Sequence, residues 1–521
     1  MPLDYLNDAQ RQAVEYRGGH LLIVAGPGTG KTQTLTERIA QLIPELQPHQ
    51  KALAITFTNK AAKAMRARLR AQVARTESSA TVGTFHGFCW QMLQRFSREA
   101  QLPAGCRVAL PEEISELVKE LWANESAAAR STFLEEISKF KSGLASENIL
   151  SFVRHYNEFL RERQLLDFDD LLAETVRLLT VSEPVRSRLR NEYPYICVDE
   201  YQDINAVQHE LLKLLAGGGA GGSTGPAPRV FLTAIGDPNQ AIYGFRGSDV
   251  KFFESFPEDF PGAAVLTLSD NYRSAAHLLA ASAQVIGRNE RFVIPPLTAR
   301  LYLEGQLAVH EAPTDKAEAE YVVHQIEKLV GGTSYFSLDT KRVASDEDGR
   351  MSFKDFAVLY RLNAQRFVLE EALQRSGIPY YTSAELSKVE EWNSSGMETS
   401  SEEGGQAEKV SLLTLHAAKG LEFKVVFMVG CEEHLLPLDI ARMVSDPKEE
   451  RRLFYVGMTR ARERLYLLRA RKRQLFGQFL ESGSSQYLAD IEEQLKAYDI
   501  PEVKKRKPKS REAQLGLFEE A

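Results

Sequence analysis

The sequence predicts an α/β fold with parallel sheets, divided between separate domains, on three observations. Short β-rich apolar runs alternate with segments whose apolar residues recur at helical spacing, the pattern of strand–helix–strand units. A chain of 521 residues exceeds what one hydrophobic core organises, and its length suggests roughly two to four domains. With 43% hydrophobic, 26% charged and 9% aromatic residues, it has the composition of a folded globular protein.

The apolar run HLLIVAG at 20–26 precedes a glycine loop, and KTQTLTERIAQLI at 31–43 continues it as a helix. Further β-rich runs are ALAITF at 52–57, YPYICVDE at 193–200, RVFLTAIGD at 229–237, DFAVLYR at 355–361, VVFMVG at 425–430 and RLYLLRA at 464–470. Between His86 and Asp199 the pattern is mostly helical, with PEEISELVKELW and SENILSFVRHYNEFLRERQLL as its clearest pieces. GGGAGGSTGPAP at 217–228 and SSGMETSSEEGGQAE at 394–408 are of low complexity and read as solvated, flexible loops. The tail after about residue 500 has too little apolar content to fold alone.

A net charge of −7 means that any nucleic-acid site must be a local basic and aromatic surface. Cys89, Cys106, Cys197 and Cys431 are far apart and form no C-x-x-C pair, which gives neither a zinc site nor a disulfide framework. The start, MPLDYLNDAQ, has no basic region followed by an apolar run. Nor does any stretch reach the roughly 18 apolar residues of a membrane span, so a cytoplasmic protein with no membrane partner is expected.

AGPGTGKT at 25–32 fits a P-loop, with Ala25 in the usual first glycine position, Pro27 and Thr29 between the glycines, and Gln33 following. Gly26, Gly28 and Gly30 let backbone N–H groups close around phosphates, Lys31 reaches the outer phosphates, and the Thr32 hydroxyl suits Mg2+. YPYICVDE ends in adjacent carboxylates: Asp199 is placed to hold Mg2+, and Glu200 to orient or deprotonate the attacking water. Paired acids alone could be solvated caps, but beside a P-loop they complete a nucleotide hydrolysis site.

DEYQDIN at 199–205 is similar to the signature of UvrD/Rep-like superfamily 1 helicases, and other blocks follow in that family's order. These are LNDAQRQAV at 6–14, AITFTNKAA at 54–62, GTFHGF at 83–88, IGDPNQAIYGFRGS at 235–248, DNYRS at 270–274, LLTLHAAKGLEF at 412–423 and EERRLFYVGMTRARER at 449–464. The resemblance implies two RecA-like P-loop motor domains and an ATP-dependent DNA helicase moving 3′ to 5′ on single-stranded DNA, in repair or replication. It implies motor domain 1A at 1–86 and 191–270, a helical 1B insertion at 87–190, motor domain 2A at 271–495, and a tail at 496–521. By the same resemblance Gln10 reads the adenine edge, Tyr272 stacks on the base and Glu422 lies near the ribose. Gln240 senses the terminal phosphate, and Arg273 and Arg460 reach it across a cleft. Gln33 stands where the family usually has an arginine over the adenine, so one-sided stacking is expected.

Movement along a strand needs flat apolar faces for bases and donors for phosphates. The family blocks imply stacking by Phe57, Tyr243 and Phe245, and polar contacts from His86, Arg246 and His416. Taken singly, each of these aromatics is more often a core residue. The space of the family's 2B domain holds only residues 385–408, which implies that this domain is absent. Single-stranded and 3′-tailed duplex DNA are the implied partners. A bacterial sliding clamp joins them through QLGLF, Gln514 to Phe518, which resembles a clamp-docking peptide behind the basic tether VKKRKPKSR. Two other functions stay open: a translocase that displaces proteins without processive unwinding, and a non-catalytic binding module.

Overall fold

The computed structural model describes residues 3–73, 76–144, 149–217, 229–289, 296–301, 305–331, 351–382, 408–440 and 443–498. The first sheet contains β1 (Leu21–Ala25), β2 (Ala52–Thr56) and β3 (Ala80–Thr84). After an insertion carrying β4 (Arg107–Val108) and β5 (Leu165–Leu166), β6 (Tyr195–Val198), β7 (Phe231–Gly236) and β8 (Ala264–Leu268) complete it. Its order is β3-β2-β6-β7-β1-β8, and every pairing is parallel.

Unbroken apolar runs suit this sheet because helices cover both its faces. Leu22, Leu53, Ile55, Ile196, Val198 and Leu232 share a core with helices Phe85–Arg95, Asp170–Val181 and Ala206–Ala216. Their neighbours Leu21, Ile23, Ala52, Ala54, Cys197 and Ile235 pack on the other face with helices Lys31–Leu42 and Asn59–Gln72.

The two-residue pair β9 (Asp270–Asn271) and β10 (Thr298–Ala299) follows. The second sheet comprises β11 (Gln306–Thr314), β12 (Phe356–Tyr360), β13 (Tyr380–Thr382), β14 (Val410–Thr414) and β15 (Phe423–Met428). Beyond a small antiparallel pair, β16 (Asp439–Ile440) and β17 (Met443–Val444), it gains β18 (Ala461–Leu475), β19 (Gln478–Glu481) and β20 (Ala497–Tyr498). The order is β13-β14-β12-β15-β18-β11-β20, parallel throughout, with β19 antiparallel on β18.

The helical insertion has a smaller core of its own than the range 87–190 suggests. Ala109, Ile114, Val118, Trp122, Ile137, Val153, Tyr156, Leu160 and Leu165 form it, closed at the base by the β4–β5 pair. Helices Phe85–Arg95, Asp170–Val181 and Glu183–Glu192 pack instead in the core of the first sheet. Amphipathic spacing marks a helix's buried face but not its partner. Most of the low-complexity segments, the 385–408 stretch up to residue 407, and the tail from residue 499 lie outside the described residues. Among the described residues, no helix is long and apolar enough to cross a membrane.

Candidate ATP site and nucleic-acid interface

Strands β6, β7 and β1 are adjacent and parallel, so the chains leaving their C-terminal ends meet at one edge of the sheet. From β1 comes the loop Gly26–Gly30, in which Gly28 (φ 69°) and Gly30 (φ 80°) adopt left-handed backbone that suits glycine. A Cβ on Gly28 would come within 2.6 Å of Asn271, and one on Gly30 within 2.7 Å of Gln10. The loop is also tied from outside: Asn271 Nδ2 donates to the Pro27 carbonyl at 2.6 Å, and the Tyr272 N–H to that of Gly28 at 2.8 Å. Thr29 Oγ1 donates to the Gly26 carbonyl, and Lys31 Nζ donates to the carbonyls of Ala25 and Gly26, both at 3.2 Å.

Asp199 and Glu200 leave β6 opposite this loop. Thr32 Oγ1 donates to Asp199 Oδ2 at 3.1 Å. Burial and the neighbouring Glu200 push the Asp199 carboxyl up to about 7, while Lys31 opposes the rise. Glu200 resists the same burial because Lys31 and Lys419 favour its ionised form, which keeps it below the usual carboxylate range. Its backbone is left-handed (φ 52°), a strained state for a glutamate that is held in place by Gln202. Gln202 Nε2 donates to Glu200 Oε2 at 2.5 Å, and Gln202 Oε1 accepts the Asp237 N–H at 2.9 Å. Gly236 makes room for that bridge, since a Cβ there would lie 2.2 Å from Gln202 Oε1.

The second body closes the site. Arg460 Nη2 donates to Gln240 Oε1 at 3.3 Å, and Gln240 Nε2 donates to Asp237 Oδ2 at 2.6 Å. Lys419 Nζ donates to the Gln240 carbonyl at 2.7 Å and pairs with Asp203. Arg273 pairs with Glu422 at 2.6 Å. The Tyr272 ring is exposed, and its hydroxyl accepts from Asn7 Nδ2 at 3.0 Å. Gln10, expected at the base edge, is buried under the P-loop. Its Nε2 donates to the Thr29 carbonyl at 3.0 Å and its Oε1 accepts the Asn7 N–H at 3.1 Å, so each end of the amide already has a protein partner. Gln33 is exposed, beside a surface cavity lined also by Thr36, Glu37, Arg68 and Gln72.

The expected strand contacts gather at the far ends of β2, β3 and β14 and in the segment after β7. Phe57 and Tyr243 stack with ring centroids 5.9 Å apart and planes 6° apart. Phe245 meets Tyr243 edge-on at 6.1 Å and His416 at 5.6 Å, and the Arg246 guanidinium lies 5.5 Å from both aromatic ring centres. His86 stacks instead on Phe168 at 3.9 Å. Burial lowers both His86 and His416 to about 4, so neither carries charge at neutral pH.

Residues 6–261 match the UvrD/REP helicase N-terminal domain, and residues 266–388 and 382–472 match the UvrD-like helicase C-terminal domain. The chain belongs to the UvrD/REP helicase family. Similar proteins include the ATP-dependent DNA helicase PcrA of Staphylococcus epidermidis RP62A, 28% identical over 94% of this chain and 87% of that protein. PcrA of Staphylococcus aureus Mu50 is 28% identical over 95% and 87%. The first alignment runs to 642 positions against a chain of 521 residues, so at least 121 positions lie opposite no residue here.

Two residues of this UvrD/REP family member escaped sequence reasoning. Phe168 is 57% exposed and covers His86 from the far side of the insertion, 82 positions away, a partnership no local pattern reveals. Lys419 lies inside the LLTLHAAKGLEF block and was legible there as a cation beside His416. Its span from Asp203 to Tyr243, whose ring centre is 5.0 Å from Nζ, was not.

Proposed function

We propose that this ATP-dependent DNA helicase binds ATP in the cleft between its two sheets and uses hydrolysis to move 3′ to 5′ on single-stranded DNA, opening 3′-tailed duplexes. The reading rests on one observation above others: groups from both bodies, Lys31, Asp199, Glu200 and Gln240 from one and Lys419 and Arg460 from the other, converge on a single cleft.

Lys31 exchanges its two backbone carbonyls for the outer phosphates, and Glu200 orients the attacking water and takes its proton. Gln240 lies against the terminal phosphate, and Arg460 and Arg273 lend positive charge as negative charge builds on the transferring group. Tyr272 offers its exposed ring to the adenine, while Glu422 faces the ribose after parting from Arg273. Gln10 supports the P-loop from beneath with one N–H and one lone pair of its amide, which leaves a second N–H and a second lone pair for the base edge. The hydroxyl of Thr32 and the carboxylate of Asp199 are hard oxygen donors that fit Mg2+ and would hold it. When bound, the ion supplies charge against the phosphate oxygens.

On the other side of the cleft, Phe57, Tyr243 and Phe245 present stacking surfaces and Arg246 a phosphate donor, with His86 and His416 as neutral polar contacts. The positions missing against the longer relative support a motor without a 2B domain. Gln514 to Phe518, outside the described residues, puts Leu515, Leu517 and Phe518 in one short peptide, which suits docking on a bacterial sliding clamp in the cytoplasm. Anisotropy of that peptide against the clamp, with Leu517→Ala and Phe518→Ala as control, tests the docking, and equal binding by the control removes it. The motor reading is tested by ATP turnover with and without a single-stranded oligonucleotide. Turnover that ignores the oligonucleotide contradicts it.

A further inference from the structure

Helix Pro447–Met458 runs directly into Thr459 and Arg460, so the arginine beside Gln240 and the opening turns of that helix sit on one element. Those opening turns hold the segment that follows Gln240. Arg452 Nε donates to the Ala241 carbonyl at 2.6 Å, and Glu449 Oε1 accepts the Gly244 N–H at 3.1 Å. Between these holds, Ile242 is buried in the core of the second body. Gly244 begins the turn Gly244–Arg246 that displays Phe245, which is 62% exposed.

A side chain at position 244 would have to displace the Glu449 carboxylate. A Cβ there would come 2.3 Å from Glu449 Oε2. Gly244 is not among the residues of positive φ, so the glycine serves the approach of the carboxylate rather than an unusual backbone. One helix thus carries an acceptor for the Phe245 turn in its first turn and, from Glu449 to Met458, rises about 13.5 Å at 1.5 Å per residue to the turn that presents Arg460 two residues beyond its end.

We infer that Glu449 is a positioning residue that couples closure of the ATP cleft to the grip on DNA bases. When the helix docks to bring Arg460 to Gln240, Glu449 seats the Gly244 N–H and presents Phe245 to the strand. When the cleft opens, the helix withdraws, the N–H loses its acceptor and the turn relaxes. The inference rests on the reading that Phe245 touches the strand.

The test measures anisotropy of a labelled oligothymidine with the full-length protein in three states: no nucleotide, ADP, and a non-hydrolysable ATP analogue. Parent affinity should shift between states by about fivefold or more, as is usual for coupled sites, and in Glu449→Ala that shift should shrink to within about twofold. Affinity for the analogue without DNA should match the parent. Glu449→Gln keeps an acceptor oxygen and should retain the shift. Gly244→Ala, which displaces the carboxylate from the other side, should lose the shift even where Glu449→Ala fails to fold. The double variant should be no worse than Glu449→Ala alone. A full shift in Glu449→Ala, additive losses in the pair, or equal weakening in all three states would overturn the coupling. Phe245→Ala is measured alongside: if it binds like the parent, the track reading falls and the coupling with it. If it weakens binding while Glu449→Ala keeps the full shift, only the coupling falls.

Discussion

Arg460 reaches from the second body to donate to the side-chain oxygen of Gln240 on the first, at 3.3 Å. Its remaining hydrogen-bond partners are neutral: the carbonyls of Val456 and Leu421 and the Thr459 hydroxyl. Burial and the nearby Arg273 lower its pKa to about 9, which still leaves it charged at neutral pH. Glu200 and Asp237 favour the charge without bonding to it, so burying this cation stays costly, and an arriving phosphate offsets that cost.

Arg460→Ala should therefore lower kcat far more than it weakens nucleotide binding. An arginine supplied across a cleft contributes about 10³–10⁵ in kcat, and the loss should fall in that range. Steady-state turnover beside analogue titration separates the two effects, and unchanged kcat would count against the role.

Lys31→Ala and Glu200→Gln should each abolish DNA-stimulated hydrolysis while circular dichroism and melting stay close to the parent's. Glu200→Gln relieves charge repulsion on the buried Asp199 and gives up the attraction of Lys31 and Lys419, two effects of opposite sign on stability. Normal turnover in either variant contradicts the site.

Phe57→Ala and Phe245→Ala should each weaken single-strand binding by about 1–3 kcal/mol, the range for one stacked base. Affinity should fall with salt in both, because phosphate contacts release counterions. Parent-like binding by both variants would place the track elsewhere.

His86 and His416 titrate near 6.5 when exposed and at about 4 in the folded chain, lowered by burial, with Arg361, Arg246 and Lys419 adding to the effect at His416. Below pH 6.5 the unfolded chain takes up protons that the folded one refuses, so stability should fall as pH drops from 6.5 to 4. The slope is up to about 1.4 kcal/mol per pH unit for each histidine. Urea midpoints across this window should flatten in a His86→Gln/His416→Gln variant, and an equally steep slope there contradicts the assignment.

What was legible in the sequence is what depends on neighbours along the chain. The glycines before Lys31 and the carboxylates after β6 are set by local spacing and meet because their strands are adjacent. Aromatic placement came through family blocks, and Phe57, Tyr243 and Phe245 do lie together. The hold of Gln10 on the P-loop was not legible, because its partner Thr29 is 19 residues away and nothing in LNDAQRQAV shows that contact. Phe168 and the Gly244–Glu449 contact depend on how bodies pack, as does the division of helices between the insertion and the first sheet.

Strand displacement on 3′-tailed, 5′-tailed and blunt duplexes, with ATP and with the parent protein in excess over DNA, tests most directly whether this chain is a 3′-to-5′ helicase. Rapid opening of the 3′-tailed duplex, little of the other two, and none with Lys31→Ala is the expected result. Preference for the 5′ tail would reverse the polarity, and hydrolysis without opening of any duplex would leave a translocase in place of a helicase.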